Sequence, residues 1–259
     1  MPELPEIETI CRQLSRTLRG ECIVRTRKFD PKIETLTNLR GRSVKTVRRE
    51  GKAIWFDLGD EWALRIHLRM SGRLLWLTSH GTWPAYTRCC IYFRTGQLLC
   101  IDPRRFATVE IRRGGTETCE IPDALQIRDT KWLARAARGR RVSVKEFLMD
   151  QRVVAGVGNI YACEILHEAS VDPRTAANVI SLQRWHRIVA AMTMVLKNAL
   201  RCRGTSISDW RDLHGRCGEF QYRLKVYHRG QHPCRRCGGE IQRIVLGGRG
   251  TYFCPLCQH

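Results

Sequence analysis

Four cysteines near the end of the chain constrain its fold more than any other feature of the sequence. Cys234, Cys237, Cys254 and Cys257 form two C-x2-C pairs separated by 16 residues. Each pair suits a tight turn that places two thiolates on one side of a metal ion. The stretch IQRIVLGGRGTYF between the pairs predicts two short strands joined at Gly-Gly-Arg-Gly. The spacing therefore predicts a zinc ribbon. Because four thiolates leave no open coordination position, we expect one structural Zn²⁺.

The spacing of apolar residues changes twice along the rest of the chain. Residues 5–18 carry apolar side chains at helical spacing, with Pro5 in the first turn. Between residues 22 and 111, short runs rich in β-branched and aromatic residues recur, separated mostly by Gly, Asp or Pro, which predicts an antiparallel sandwich or barrel. Residues 123–213 return to helical spacing and include a long amphipathic helix at 181–202.

Local signals complete the predicted architecture. Ser143 and Glu146 form a capping box before a helix. Residues 214–230 show neither helical spacing nor strand-like alternation of apolar residues, which predicts a loop. The expected fold is α+β with two domains, an N-terminal helix with an antiparallel β-sandwich and then a helical domain with a C-terminal zinc ribbon. The expected boundaries are 1–122, 123–228 and 229–259.

The charge of the chain points to a polyanionic partner. Its 45 Lys and Arg residues exceed its 25 Asp and Glu residues, which gives a net charge of +20. Residues 1–150 carry 29 basic against 18 acidic side chains and residues 151–259 carry 16 against 7, so the excess is not a basic tail. A nucleic acid fits this charge because each neutralised phosphate releases counterions. A merely basic surface, or affinity for acidic membranes, stays open on composition alone.

The N-terminus and the remaining cysteines indicate the compartment. MPELPEIE lacks the basic region and apolar run of a secretory signal, and no stretch approaches 18 uncharged apolar residues. We therefore expect a monomeric protein that stays in the cytoplasm, on the nucleoid if the source is bacterial. The nine other cysteines are expected to be reduced, buried, small apolar residues. The adjacent Cys89 and Cys90 are expected on opposite faces of a strand.

The first residues combine a candidate nucleophile with two carboxyl groups. Removal of Met1 exposes Pro2 as a secondary amine, and because an α-amino group titrates near pH ~8, a useful fraction is neutral and nucleophilic at physiological pH. Glu3 and Glu6 lie three residues apart at a helix start, where a carboxylic acid can shuttle protons. Ordinary helix capping explains the same residues, and residue types alone favour that simpler interpretation.

Five motifs, in the same order, resemble those of the formamidopyrimidine-DNA glycosylase family. They are MPELPEIE, HLRMSG at 67–72, DPRRF at 102–106, DQRVVAGVGNIYACEIL at 150–166, and the cysteine ribbon with LGGRGTYFC. The resemblance covers essentially the whole chain, and Leu4 and VAGVGNIYA are similar to the formamidopyrimidine branch rather than the endonuclease VIII branch. It implies a β-sandwich, a helix–two-turn–helix domain with a zinc finger, and a base excision repair enzyme that removes oxidised purines from duplex DNA.

The resemblance also implies catalytic roles. Pro2 attacks C1′ of the damaged nucleotide, the base leaves, a Schiff base forms, and β- and then δ-elimination removes the sugar. Glu3 matches the carboxylate that assists base loss and proton transfer, and Glu6 matches a second carboxylate supporting the N-terminal site. Lys52 matches a lysine near the lesion phosphates, although residue type alone predicts a solvated charge.

Further residues match DNA-binding positions of the family. Asn159 and Arg249 match residues that bind phosphates, the alternatives being a turn or N-cap residue and a solvated arginine. His67 is expected in or near the sheet, with a phosphate contact as the alternative. An enzyme that works on an extruded base must fill the hole in the stack. Three residues match that role, although the apolar pair among them would more often be core: Met70, Arg104 and Phe106.

Several positions depart from the family pattern. Arg69 replaces the glycine of HLGMSG, and Ala107 replaces the glycine after PRRF. Arg152 stands where lysine is usual before VVAGVGN. Cys217 and Glu219 lie in the stretch that matches the loop over the oxidised base, where proline and an aromatic residue are more common. These departures bear on lesion preference.

Two other functions fit parts of the sequence. A catalytically silent DNA-binding protein with a zinc ribbon fits the charge and cysteines equally well, but binding alone requires neither Pro2 nor Glu3. An enzyme for oxidised pyrimidines differs in the pocket formed by the loop at 214–228 and by Arg152.

Overall fold

The computed structural model describes residues 1–34, 36–79, 81–114 and 121–259. Its contacts divide the chain into two compact units: Met1–Cys119 with Cys202–Glu219, and Glu120–Arg201 with Phe220–His259. Among the described residues, none of the helices has both the length and the apolar character required to cross a bilayer.

The segment Cys202–Glu219 packs with the first unit, whereas the sequence predicts it within the domain 123–228. The Gln13 side chain explains this, because its amide donates to Asp212 Oδ2 at 2.8 Å and its oxygen accepts from Leu213 N–H at 3.0 Å. Leu213 is also part of the buried core of the first unit. The expected boundary at residue 122 adjoins residues 115–120, which lie outside the described part of the chain.

Helix α1 spans Leu4–Leu18, which confirms the helix predicted at 5–18. Pro5 occupies its first turn, where a missing backbone N–H costs nothing. The buried face of α1 carries side chains at helical spacing, among them Ile7, Ile10 and Leu14, and it contributes to the core of the first unit.

Two antiparallel sheets build the rest of the first unit and confirm the predicted sandwich architecture. The strands are β1 Ile23–Lys28, β2 Thr46–Glu50, β3 Ala53–Asp57, β4 Trp62–His67, β5 Arg73–Leu77, β6 Thr87–Phe93, β7 Gln97–Ile101 and β8 Thr108–Arg113. Their orders are β1-β6-β7-β5 and β2-β3-β4-β8. One buried cluster draws on both sheets, for example through Phe56 and Ile91. Cys89 lies in that cluster and Cys90 in the cluster on the other face of β6, as expected.

The second unit is helical and ends in a hairpin. Its helices are α2 Thr130–Ala137, α3 Val144–Met149, α4 Asn159–Glu168 and α5 Leu182–Arg201. Ser143 caps α3, since its Oγ accepts from Glu146 N–H at 3.2 Å. The predicted loop at 214–230 contains a single short 3₁₀ turn, Phe220–Arg223, and no other helix or strand.

Strands β9 Gln242–Leu246 and β10 Arg249–Phe253 form the predicted ribbon hairpin. Gly247 and Gly248 make its two-residue turn at φ +54° and +71°, the left-handed region that such turns require. Arg249 therefore lies directly beside the tip of the hairpin.

Candidate active site and metal centre

Glu6 anchors the N-terminus of the chain. Its Oε2 accepts from Glu3 N–H at 2.8 Å, and its Oε1 accepts from Thr205 N–H at 2.7 Å. Pro2, Glu3 and Glu6 are all buried, and Met1 is exposed. The Glu6 carboxylate is thus engaged by two backbone donors, which suits a residue that fixes geometry. Glu3 is the N-cap of α1, and its carboxyl accepts from the Glu6 backbone N–H, as the helix-capping interpretation predicts. This buried carboxyl is adjacent in sequence to Pro2.

Close approach of the Cys202–Glu219 segment to Glu6 depends on Gly204. Gly204 adopts φ +84°, and a Cβ there would lie 2.6 Å from Glu6 Oε1. Any other residue would therefore both strain the backbone and displace the carboxylate. No sequence pattern indicates Gly204 or Thr205, because a contact across 199 residues has no local signal.

Lys52 and His67 lie at the ends of neighbouring strands. Lys52 is buried in the turn between β2 and β3, and the next residue, Ala53, pairs with His67 at the end of β4. Burial, together with the charges of Arg69, Arg65 and Lys52, lowers the pKa of His67 to about 4. His67 Nδ1 accepts from Arg69 N–H at 3.1 Å, so the neutral ring carries its proton on Nε2. His67 lies at the end of strand β4 in the sheet, as expected.

Met70, Arg104 and Phe106 lie outside the core. Met70 and Phe106 are each 50% exposed, an unusual exposure for large apolar side chains. The Arg104 guanidinium lies 4.7 Å from the centre of the Phe106 ring, within the range of a cation–π contact. We call residues 68–72 the Met70 turn and residues 102–107 the Phe106 turn. Both turns present apolar groups to solvent, so the core interpretation of these residues is excluded.

In the second unit, Lys145 holds Asn159. Lys145 is fully buried, and its Nζ donates to Asn159 Oδ1 at 2.5 Å and to Thr251 Oγ1 at 2.8 Å. The Asn159 amide donates in turn to Gly250 O at 3.0 Å and lies 3.4 Å from Tyr227 Oη. Helix α4 begins at Asn159, and its N-cap is Gly158, so the N-cap alternative for Asn159 is wrong. The contacts join α3, α4 and β10, and no sequence pattern indicates the roles of Lys145 and Tyr227.

The four cysteines converge as their spacing predicts. Their Sγ atoms all lie within 4.8 Å of one another, with Cys237–Cys254 at 3.5 Å and Cys234–Cys257 at 3.9 Å. A tetrahedral zinc ion with Zn–S bonds of about 2.3 Å requires sulfur atoms roughly 3.8 Å apart. The donor set therefore fits one structural Zn²⁺. His167, buried on α4, places its Nε2 3.5 Å from Cys234 Sγ, a contact that no sequence signal indicated.

Three of the positions that depart from the family pattern are ion-paired or adopt a strained backbone conformation. Arg152 pairs with Asp150 through two hydrogen bonds of 3.0 and 3.1 Å. Glu219 pairs with Arg203 at 2.5 Å. Arg69 adopts φ +55°, the left-handed region that favours glycine.

The scattered cysteines largely match expectation. The eight outside the ribbon that the structure describes are free thiols, and six of them are buried. The two exceptions are Cys22, which is partly buried, and Cys217, which is exposed. Cys119 lies outside the described residues.

Each unit assembles its own subset of the expected site residues. The first contains Pro2, Glu3, Glu6, Lys52, His67, Met70, Arg104 and Phe106. The second contains Asn159, Arg249 and the four cysteines. The roles of these residues remain predictions.

Three family models match the chain in consecutive segments. The formamidopyrimidine-DNA glycosylase N-terminal domain matches residues 1–109, the formamidopyrimidine-DNA glycosylase H2TH domain matches 122–210, and the zinc finger found in FPG and IleRS matches 231–259. The matches together span nearly the whole chain.

Individual proteins are similar over their full lengths. The formamidopyrimidine-DNA glycosylase of Paracoccus denitrificans is 37% identical over 280 residues, with 100% of both chains covered. A mutant of the Lactococcus lactis FPG, in complex with DNA containing Fapy-dG, superposes with a TM-score of 0.90 at 31% identity and 100% coverage of both chains. The wild-type Lactococcus lactis protein, in complex with DNA containing an oxidised pyrimidine, gives 0.89 at 31% identity, again covering both chains fully.

Proposed function

The chain belongs to the formamidopyrimidine-DNA glycosylase family, and from that membership we propose that it is a bifunctional DNA glycosylase and AP lyase of base excision repair. Its substrate is duplex DNA that contains an oxidised purine, either 8-oxoguanine or a formamidopyrimidine. The observation that carries the proposal is the buried N-terminus, where Pro2 adjoins Glu3 and Glu6 is held by two backbone N–H groups.

The N-terminal geometry supports a division of labour between the two carboxyl groups. Glu6 already accepts from Glu3 N–H and Thr205 N–H, so its role is to hold the first turn of α1 in place. The Glu3 carboxyl accepts from the Glu6 backbone N–H in the same capping box. Family membership assigns it the proton-transfer role, and assigns Pro2, once Met1 is removed, the nucleophilic role. Glu3 is a residue of the α1 N-terminus, where a carboxylate is also favoured by the helix dipole.

The reaction proceeds by substitution and then elimination. The Pro2 nitrogen bonds to C1′ as the glycosidic bond breaks, and the departing base takes up a proton. The sugar ring opens to an iminium ion between Pro2 and C1′. Loss of the C2′ proton then expels the 3′ phosphate, and a second elimination expels the 5′ phosphate. The proton transfers at the base or the ring oxygen are assigned to Glu3.

The DNA-binding roles have support in both units. Met70 and Phe106 are half exposed, as residues that enter a base stack must be. In the second unit, the buried Lys145 fixes the Asn159 side chain, and Arg249 stands beside the hairpin tip. Lys52 and the Nε2–H of His67 are further candidate phosphate contacts. The net charge of +20 favours a polyphosphate partner.

The purine preference follows from the family membership, and two unusual positions, which could oppose it, are ion-paired. Glu219 is engaged by Arg203, so its negative charge is offset, and it is a weaker obstacle to an oxidised guanine than a lone carboxylate. Arg152 is engaged by Asp150 in the same way. Oxidised pyrimidines are the second candidate substrate, because a relative of similar fold has been solved with DNA containing one.

The partner and the compartment complete the proposal. The protein acts as a monomer on damaged DNA, in the cytoplasm or on the nucleoid, with one structural Zn²⁺ on its four C-terminal cysteines. Size-exclusion chromatography with light scattering measures whether the protein is a monomer.

The test is base release from a panel of duplexes carrying 8-oxoguanine, a formamidopyrimidine, thymine glycol or an abasic site. We expect the purine lesions to be processed fastest. Glu3→Gln should lower base excision by about 10² to 10⁴, whereas Glu8→Gln, on the same helix but paired with Arg12 and Arg49, should change it little. Faster processing of thymine glycol would replace the purine assignment with the pyrimidine one. If the protein bound the duplexes but cleaved none of them, the alternative function, a catalytically silent DNA-binding protein, would replace the enzyme.

A further inference from the structure

A single carboxylate gathers both exposed turns of the first unit. Asp102 is fully buried. Its Oδ1 accepts from Ser71 Oγ of the Met70 turn at 2.6 Å and from Arg104 N–H at 3.1 Å. Its Oδ2 accepts from Phe106 N–H and Ala107 N–H, each at 2.7 Å. Hydrogen bonds from one residue of the Met70 turn and three of the Phe106 turn therefore converge on one side chain.

A buried ionic chain extends from this carboxylate. Arg88 is 3% exposed, donates from Nη1 to Ala107 O, and places the same atom 3.8 Å from Asp102 Oδ2. Its Nε donates to Asp30 Oδ2 at 2.7 Å. Asp30, also 3% exposed, accepts two further bonds from Arg105, of 2.9 and 2.6 Å. Charges thus alternate from Asp102 through Arg88 and Asp30 to Arg105, and each hydrogen bond is charge-assisted.

The row of ion pairs stabilises two backbone conformations that are strained for non-glycine residues. Arg69 in the Met70 turn and Arg105 in the Phe106 turn adopt φ +55° and +58°. Non-glycine residues persist in that region when the surrounding structure over-determines them. Although burial opposes it, the bonds from Ser71 and from the backbone N–H groups of Ala107, Arg104 and Phe106 lower the pKa of Asp102, which keeps its charge over the working pH range.

We propose that Asp102, Asp30 and Arg88 are positioning residues that hold the Met70 turn and the Phe106 turn as one preorganised wedge. Ser71 and Arg105 are the outer ends of this scaffold, Ser71 acting on Met70 and Arg105 on Phe106. The inference rests on the proposed function, because the wedge is the part that enters the stack when the damaged nucleotide leaves it. Ordering the two half-exposed apolar side chains before binding removes a cost from the extrusion step.

The positioning role predicts a particular pattern of loss. Ser71→Ala and Arg105→Ala should each lower excision of 8-oxoguanine from a duplex by about tenfold, and cleavage of a preformed abasic site by less than about twofold. The rise in emission of a 2-aminopurine beside the lesion should fall in parallel. Ser71→Thr keeps a hydroxyl group and should restore part of the activity. Arg112→Ala is the matched control, since Arg112 is 54% exposed and pairs with Glu110, whereas Arg105 is 51% exposed and pairs with Asp30.

Double variants separate positioning from a general structural defect. If Ser71 acts through Met70, Ser71→Ala should lower the rate of 8-oxoguanine excision by less than about twofold in a Met70→Ala background. Arg105→Ala should likewise cost little in a Phe106→Ala background. A full tenfold loss in either background, or equal loss on both DNA substrates, overturns the proposal.

Hydrogen exchange of the free protein supplies a readout that needs no activity. The amide hydrogens of Phe106 and Ala107 are bound by Asp102, so they should exchange at least several-fold faster in Arg105→Ala than in wild type or Arg112→Ala. Unchanged exchange overturns the proposal. A wild-type protein that shows this protection and yet cleaves no lesion would instead contradict the proposed function and leave the scaffold intact.

Discussion

The N-terminal site and the cysteine ribbon are built on opposite principles. The ribbon draws its four sulfur atoms from residues 234–257, and two C-x2-C turns bring them within 4.8 Å of one another. The N-terminal site is closed by Thr205, which lies 199 residues beyond Glu6, its partner. One site is local in sequence, and the other depends on a distant segment that packs back onto the first unit.

The difference determines whether a substitution in each site abolishes local structure or only disturbs its geometry. A metal site concentrates its folding energy in a few bonds, so one ligand decides whether the local structure forms. A hydrogen-bonded site spreads it over several contacts, so a single change shifts geometry before it unfolds anything. We therefore expect loss of structure from changes in the ribbon, and loss of activity with modest loss of stability from changes around Glu6.

The largest expected effect is that of removing a ribbon cysteine. Cys254→Ser should release the zinc ion and unfold the hairpin of β9 and β10 that carries Arg249, because metal binding energy is folding energy. Duplex affinity should fall by at least about tenfold, whereas Schiff base formation at saturating DNA should persist. Cys217→Ser, which alters an exposed thiol outside the cluster, is the control. Metal analysis and filter binding measure the two effects, and a zinc-free wild type would contradict the metal assignment.

Sequence patterns predicted the parts of the molecule whose causes are local. Helix α1, the described strands of the first unit and the ribbon follow from apolar spacing, β-branched runs and cysteine spacing within short windows. Family resemblance supplied the candidate residues at both sites. The structure places both motifs in turns: HLRMSG lies between β4 and β5, and DPRRF lies between β7 and β8.

Sequence patterns gave no signal for the contacts that fix those residues in place. Asp30 is 58 residues from Arg88 and 75 from Arg105, and neither its type nor its spacing indicates a buried ion pair. Gly204 resembles any turn glycine until the carboxylate of Glu6 is seen beside it. Such contacts depend on tertiary packing, and only the folded chain displays them.

The next largest effect is the loss of stability on replacing Gly204, which we compare with that on replacing Gly215 in the same segment. Gly204 and Gly215 adopt φ +84° and +80°, but a Cβ meets Glu6 Oε1 at 2.6 Å only at Gly204, and nothing within 4 Å at Gly215. Gly215→Ala should cost about 1 kcal/mol of unfolding free energy from backbone strain. Gly204→Ala should cost about 2 to 4 kcal/mol, because it also displaces a buried hydrogen-bonded carboxylate, and it should slow base excision. Urea denaturation measures the first quantity, and equal costs at both positions would contradict the anchoring role of Glu6.

A smaller effect follows from the buried position of His67. Its pKa is about 4 in the folded protein, below the ordinary value of about 6.5, so between these values the unfolded chain binds the extra proton. Its contribution to stability is present above pH ~6.5 and is lost as the pH falls toward 4. His67→Gln should therefore reduce the loss of unfolding free energy between pH 7 and pH 5 by about 1 to 2 kcal/mol. Denaturant titrations at both pH values test this, and an unchanged difference would contradict a neutral His67.

The smallest effect concerns Arg69. Its φ of +55° suits glycine, so Arg69→Gly should change the unfolding free energy by no more than about 1 kcal/mol, with relief of strain offset by greater freedom of the unfolded chain. If Arg69 contacts one phosphate, the slope of log affinity against log salt should become shallower by about one. Binding titrations at several salt concentrations measure the slope, and an unchanged slope would show that Arg69 makes no phosphate contact.

Borohydride trapping on a duplex containing 8-oxoguanine, followed by mapping of the modified peptide, tests the central claim most directly. Reduction of the iminium ion should fix the DNA covalently to the N-terminal peptide, at the nitrogen of Pro2. Pro2→Gly should retain duplex binding and lose most of the trapping, and protein that keeps Met1 should behave likewise. A trapped adduct on Lys52 or another lysine, or trapping that is undiminished while Met1 is still attached, would contradict Pro2 as the nucleophile.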